Sequence, residues 1–147
     1  MGKFLLSLIA LILVAYPAAA QTPAPQHGLK AGYIALMVTG EVLPGQMENF
    51  RQLVTRLVAA VAEEPGTLAY EFSLQPDQNT YNVLEVDQNS EALAAHLKHV
   101  SAEFLKELGQ VRKTTKAVVF GSPDSQVKES LARLDPVYTS PIDGFSR

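Results

Sequence analysis

The sequence predicts an α+β fold of the ferredoxin-like, split βαβ kind, with a four-stranded antiparallel sheet and an extra short helix near the C-terminal end. Three observations carry that prediction. The periodicities from residue 30 onward run strand, helix, strand, strand, helix, strand. The middle two strand runs are joined by Pro76-Asp77-Gln78-Asn79, residue types that favour a turn. Each long helical segment carries one apolar stripe, the pattern of helices that cover one face of a sheet.

The first strand is read from Ala31-Gly32-Tyr33-Ile34-Ala35-Leu36-Met37-Val38, apolar at nearly every position and so a strand to be covered on both faces. Pro44 and Gly45 open a helix in which Met47, Phe50, Leu53, Val54, Leu57, Val58 and Val61 recur at helical spacing, ending at Glu63-Glu64-Pro65-Gly66. The hairpin follows over Thr67 to Gln75 and Thr80 to Asp87. Alternation puts Leu68, Tyr70, Phe72 and Leu74 on one face of its first strand. In its second strand it turns Leu84 and Val86 toward the helices and Glu85 away.

Asn89 or Ser90 caps a second helix reaching about Leu108, with Leu93, Leu97, Val100, Phe104 and Leu108 as its stripe and Gly109 as its stop. Lys113 to Phe120 reads as the fourth strand, Asp124 to Leu134 as the short helix, and residues 135–147 as an irregular tail. Two helices cover one sheet face. The doubly apolar first strand asks for a second cover, which a partner subunit would supply, so a homodimer is expected.

The N-terminal segment has its own signature. Lys3 precedes a run of about a dozen apolar residues, too short for the roughly 20 that span a bilayer as a helix, and Pro17-Ala18-Ala19-Ala20 closes it. Residues 1–20 are therefore expected to be a cleaved signal peptide, with the protein exported to the periplasm or the medium. Residues 21–29, rich in proline and small polar residues and including His27, read as a flexible leader, and residues 30–147 as one domain.

The formal charge is −3, and without Lys3 it becomes −4. No Lys/Arg cluster stands out, which argues against a nucleic-acid or anionic-membrane surface and for a small-molecule or protein partner. The chain contains no cysteine, so disulfides, thiol chemistry and thiolate metal sites are excluded.

Glu64-Pro65-Gly66-Thr67-Leu68-Ala69-Tyr70-Glu71-Phe72, then Leu84-Glu85, then Ala92-Leu93-Ala94-Ala95-His96-Leu97 together resemble the antibiotic-biosynthesis monooxygenase superfamily, which includes quinol monooxygenases. The tail from Leu134-Asp135-Pro136-Val137-Tyr138 to Arg147 is similar to tails of some members. The resemblance implies a dimeric α+β barrel with a pocket between sheet and helices. It also implies oxygenation of a quinol or other phenolic aromatic by O2 with neither metal nor flavin, since an ionised, electron-rich phenol can itself reduce O2. In this chain Asp87 stands where many members carry Trp, and Ser101 where many carry a second His. An exported, non-catalytic binder of a small hydrophobic ligand is the alternative.

His96 is the first candidate for acid–base work. At about 100° per residue it lies about 60° from Leu93, at the border of the apolar stripe, where an imidazole can reach a pocket edge and take a phenolic proton. Glu85 is the second catalytic candidate, although alternation makes it and Glu71 interface or cross-strand residues. Tyr33, Tyr70, Phe72, Phe104 and His99 are the candidate ligand contacts. Helix geometry spreads His96, His99 and Glu103 in direction, so a local His99–Glu103 pair is read in place of a metal site, and neither metal nor cofactor is expected.

Overall fold

The computed structural model describes residues 28–145. The expected signal peptide, most of the leader with His27, and residues 146–147 lie outside the described residues.

The elements are β1 (Ile34–Val42), α1 (Met47–Val61), β2 (Thr67–Leu74), β3 (Thr80–Asp87), α2 (Ser90–Glu103), α3 (Leu105–Val111), β4 (Arg112–Phe120), α4 (Ser125–Leu131) with a 3-10 turn at Ala132–Leu134, and β5 (Val137–Tyr138). The sheet order is β2-β3-β1-β4-β5. All pairings are antiparallel except the last, in which Val137 and Tyr138 lie parallel to Val118 and Val119. The sheet therefore has five strands where the sequence predicts four, because part of the expected irregular tail returns to the β4 edge. First to fourth strands keep the predicted α+β, ferredoxin-like connectivity.

The core lies between one sheet face and the helices. Ile34, Leu36 and Val38 of β1 meet Phe50, Leu53, Leu57 and Val61 of α1, Leu93 of α2, and Val127 and Leu131 of α4, all buried. Each such side chain contributes about 1.5–3 kcal/mol relative to exposure. The predicted second helix is two helices. Asn89 caps the first by accepting the Ala92 N–H at 2.9 Å, and the backbone breaks at Phe104, φ −117°. Phe104 is buried at this break, and Gly109 lies within α3 instead of stopping it.

Strand pairing corrects two readings. In the β1–β3 register Leu36 faces Glu85 and Ile34 faces Asp87, so Glu85 and Asp87 share the helix-covered face with the buried core of β1. Leu84 and Val86 turn to the other side, and Leu84 is 42% exposed. Alternation alone fails here because Tyr81 and Val83 make one face of β3 as apolar as Leu84 and Val86 make the other. On β2 a bulge falls between Thr67 and Ala69. It takes Leu68, now exposed, out of line with Tyr70 and brings Thr67 opposite Asp87.

The second sheet face carries Met37 between Leu84 and Val118, and Ala35 between Val86 and Phe120. No helix of the described residues packs on it; at one end residues 139–145 and 28–33 border Ala35 and Phe120. No helix of the described residues is long and apolar enough to cross a membrane.

Candidate active site

The polar interior is assembled by three neighbouring pieces of backbone. The turn after α1 brings Glu64, the hairpin brings Thr67, Glu85 and Asp87, and α2 brings His96 and His99. Glu85, Asp87 and His96 are 3%, 0% and 3% exposed. Groups this buried are tolerated when they bond one another.

The Glu64 carboxylate joins them. Its Oε2 lies 2.9 Å from His96 Nδ1 and accepts the Thr67 hydroxyl at 2.8 Å, while its Oε1 lies 2.5 Å from His99 Nδ1. Burial alone would raise the Glu64 carboxyl, but the hydrogen bonds from His99, His96 and Thr67 outweigh it and hold it below the usual carboxylate range. An ionised Glu64 accepts from Nδ1–H of His96, which leaves Nε2 as the reactive nitrogen. The same carboxylate raises His99 above its ordinary value, chiefly through its hydrogen bond, despite the opposing effect of desolvation. Glu103, the expected partner of His99, sits farther off at 3.6 Å.

On the other side of His96, Nε2 faces Glu85 Oε2 at 3.5 Å. Glu85 and Asp87 interact carboxyl to carboxyl, and Asp87 Oδ1 lies 3.0 Å from the Thr67 hydroxyl. Asp87, Thr67, Glu64, His96 and Glu85 thus form a continuous chain of polar neighbours whose two ends lie on one face of β3. Burial, then the neighbouring Asp87 charge, push the Glu85 carboxyl well above the carboxylate range; burial also raises Asp87, against the hydrogen bonds from Glu85 and Thr67.

His96 and Glu85 open onto a cavity of about 270 Å³ between sheet and helices. Tyr70 and Phe72 form one wall, edge to face at 5.4 Å, with Tyr70 also edge-on to the His96 ring at 5.2 Å. Leu97, Val100, Leu105 and Leu108 give an apolar lining. Arg112 reaches the same cavity, its Nη1 donating to the Tyr81 hydroxyl at 2.8 Å and to Thr114 at 2.6 Å. Burial, then the Glu85 charge, raise the Tyr70 phenol far above its ordinary value, so it works as a neutral hydrogen-bonding wall. A flat ring entering here meets an aromatic edge, an imidazole nitrogen and a carboxyl together.

Of the candidate residues, His96, Glu85, Tyr70 and Phe72 line this cavity; Tyr33, Phe104 and His99 do not. Tyr33 borders a larger cavity of about 720 Å³ at the end of the other sheet face, among residues 28–33 and 139–145, which has no histidine in its lining. Phe104 is core, 6% exposed, with its ring 6.1 Å from that of His99. His99 lines a separate open pocket of about 440 Å³ beside Glu64, and its hydrogen bond to Glu64 is its link to His96. Among the described residues no group of three or more His, Cys, Asp or Glu side chains is disposed to hold a metal ion.

Glu64, Thr67, Asp87 and Arg112 are the site residues that sequence reasoning missed. Asp87 had a signal in the series Tyr81-Val83-Glu85-Asp87, one face of a single strand. Thr67 had none, because its direction depends on the bulge.

The profile of the antibiotic biosynthesis monooxygenase family matches residues 33–108, just over half of the chain and the whole span from β1 to Leu108. The chain belongs to that family. Among solved structures, MupZ from Pseudomonas fluorescens superposes with a TM-score of 0.69 at 23% identity, covering 78% of this chain and 94% of its own. SnoaB, a cofactor-independent oxygenase from Streptomyces nogalater, gives 0.55 at 18% identity over 65% of this chain and 97% of its own. A conserved protein from Bacteroides thetaiotaomicron gives 0.53 at 26% identity, over 62% and 98%. These similarities establish the antibiotic biosynthesis monooxygenase fold. No curated protein matches the sequence significantly.

Proposed function

We propose that this antibiotic biosynthesis monooxygenase family member is a cofactor-independent monooxygenase of a quinol or other phenolic aromatic, with O2 as co-substrate. The observation that supports this most is the setting of His96. Its Nδ1 is held by Glu64, and its ring lines the aromatic-walled cavity with Nε2 beside Glu85. His96 takes the phenolic proton, and the resulting phenolate donates electrons to O2 within a mainly apolar lining. Tyr70 and Phe72 hold the ring, and Arg112 offsets the phenolate charge from across the cavity. That SnoaB is a cofactor-independent oxygenase supports the same reading.

The working form is proposed to be a homodimer joined through the open sheet face, exported after cleavage behind Ala20. Mass spectrometry of protein recovered from the cell envelope should find Gln21 as the first residue. An oxygen electrode run with a panel of quinols tests the activity: uptake by the wild type that His96→Ala abolishes is the expected result. Tight binding of an aromatic ligand without any uptake would instead make the protein a non-catalytic carrier.

A further inference from the structure

We propose that Glu85 and Asp87 hold one proton between them, and that Glu85 is the acid that delivers it to the departing oxygen in the cavity. The inference rests on the monooxygenase reading and adds to it a source for the second proton that the chemistry needs.

Three observations carry it. Both residues are buried, side by side on the helix-covered face of β3, and they interact carboxyl to carboxyl. Apart from that interaction, Glu85 Oε1 and Asp87 Oδ2 have no hydrogen-bond partner. Two buried carboxyl oxygens without donors, on side chains two residues apart on one face of β3, are reconciled by a proton held between the two carboxyls. Finally, Glu85 lines the cavity whereas Asp87 does not, so the pair has one member that reaches a ligand and one that stays behind it.

The surroundings set the direction of transfer. His96 faces the pair from α2, Glu64 from the turn after α1, Thr67 and Tyr70 from β2, and Arg112 from β4. Asp87 Oδ1 lies 3.0 Å from the Thr67 hydroxyl, which Glu64 shares, and Asp87 Oδ2 is buried without a partner of its own. At 3.5 Å, Nε2 of His96 and Oε2 of Glu85 are too far apart for a strong hydrogen bond, which leaves the imidazole free to act as base while Glu85 remains an acid.

Oxygenation of a phenol at a ring C–H position consumes one O2 and yields a quinone carbonyl at that position and one water. His96 first passes the proton it took from the phenol to the peroxide anion. The ring carbon then bears one hydrogen and a hydroperoxy group beside the carbonyl formed from the phenol, and the neutral His96 removes that carbon-bound proton. The C–H electron pair becomes the second C–O bond, the O–O bond breaks, and hydroxide departs. Carbon loses two electrons and the peroxide oxygens gain them. Glu85 protonates the hydroxide to water, and the imidazolium of His96 then returns its proton to Glu85, restoring both groups.

Infrared spectroscopy of the ligand-free protein and steady-state kinetics test this together. At pH 7 the wild type should show the C=O stretch of a protonated carboxylic acid, absent from Glu85→Gln. Asp87→Asn leaves Glu85 in place but removes the partner that shares its proton. It should lower kcat at least about tenfold with KM within about twofold, the signature of a group that matters in the transition state. No protonated-acid band in the wild type, or an unchanged kcat in Asp87→Asn, overturns the proposal while leaving the monooxygenase reading intact. A wild type that shows the band but consumes no oxygen with any quinol sinks that reading, and the delivery step with it.

Discussion

Glu85 and His96 meet across the sheet–helix boundary, Oε2 to Nε2 at 3.5 Å, though one comes from the middle of a strand and the other from a helix eleven positions later. The pairing of Glu85 with Leu36 decides this contact. Because Leu36 belongs to the buried face of β1, its cross-strand neighbour must point the same way, toward α2.

Replacing His96 by Ala should cut oxygen uptake by about 10²–10⁴-fold, the usual contribution of a positioned acid–base group. Glu64→Gln should have a smaller effect in the same direction, because an amide holds the Nδ1–H more weakly than a carboxylate. Initial rates in an oxygen electrode, with circular dichroism to confirm folding, check both.

Stability should fall as pH rises out of the acid range. Glu85 has its folded pKa raised, so the native state keeps a proton that the unfolded chain releases above about 4.3, and this contribution is lost on going up through the folded value. His99, also raised, adds to the trend above about 6.5, while Glu64, lowered, opposes it only on the acid side. Asp87, also raised, adds to the fall and is coupled to Glu85, so Glu85→Gln removes the Glu85 contribution and alters that of Asp87 with it. Thermal melts from about pH 5 to about pH 8 should therefore show the variant gaining on the wild type as pH increases.

Gly66→Ala should destabilise the protein by about 1–3 kcal/mol. A Cβ at residue 66 would collide with the side chain of Ala92 on α2, pushing that helix off the turn that carries Glu64. Urea titration measures the loss, and the site predicts a drop in activity beside it, since Glu64 and His96 lie on the two parts driven apart.

Leu84→Lys should give a monomer by light scattering without unfolding the subunit. Leu84 stands beside Met37 on the open face, 42% and 43% exposed, and contributes nothing to the core beneath. A dimer that survives the substitution would place the interface elsewhere.

Much of the architecture was legible in the sequence because it is written in local periodicity. The stripe Phe50-Leu53-Leu57-Val61 needs only a helix of 3.6 residues per turn to become a buried face. Pro65-Gly66 and Pro76-Asp77 mark turns by the backbone angles these residues prefer, and the ordered motifs from Glu64 to His96 pointed to the antibiotic biosynthesis monooxygenase family. His96 was legible as a border residue of the α2 stripe. The site around it was not. Glu85 and Asp87 face His96 because β3 pairs with β1 in one register, Thr67 joins them because β2 bulges at Leu68, and Glu64 bonds both histidines because α1 ends beside α2. The order of elements and their apolar faces could be read from the chain alone, since they depend on neighbours a few positions away. Which polar groups share one buried space depends on pairings between distant segments, and those pairings exist only in the folded molecule.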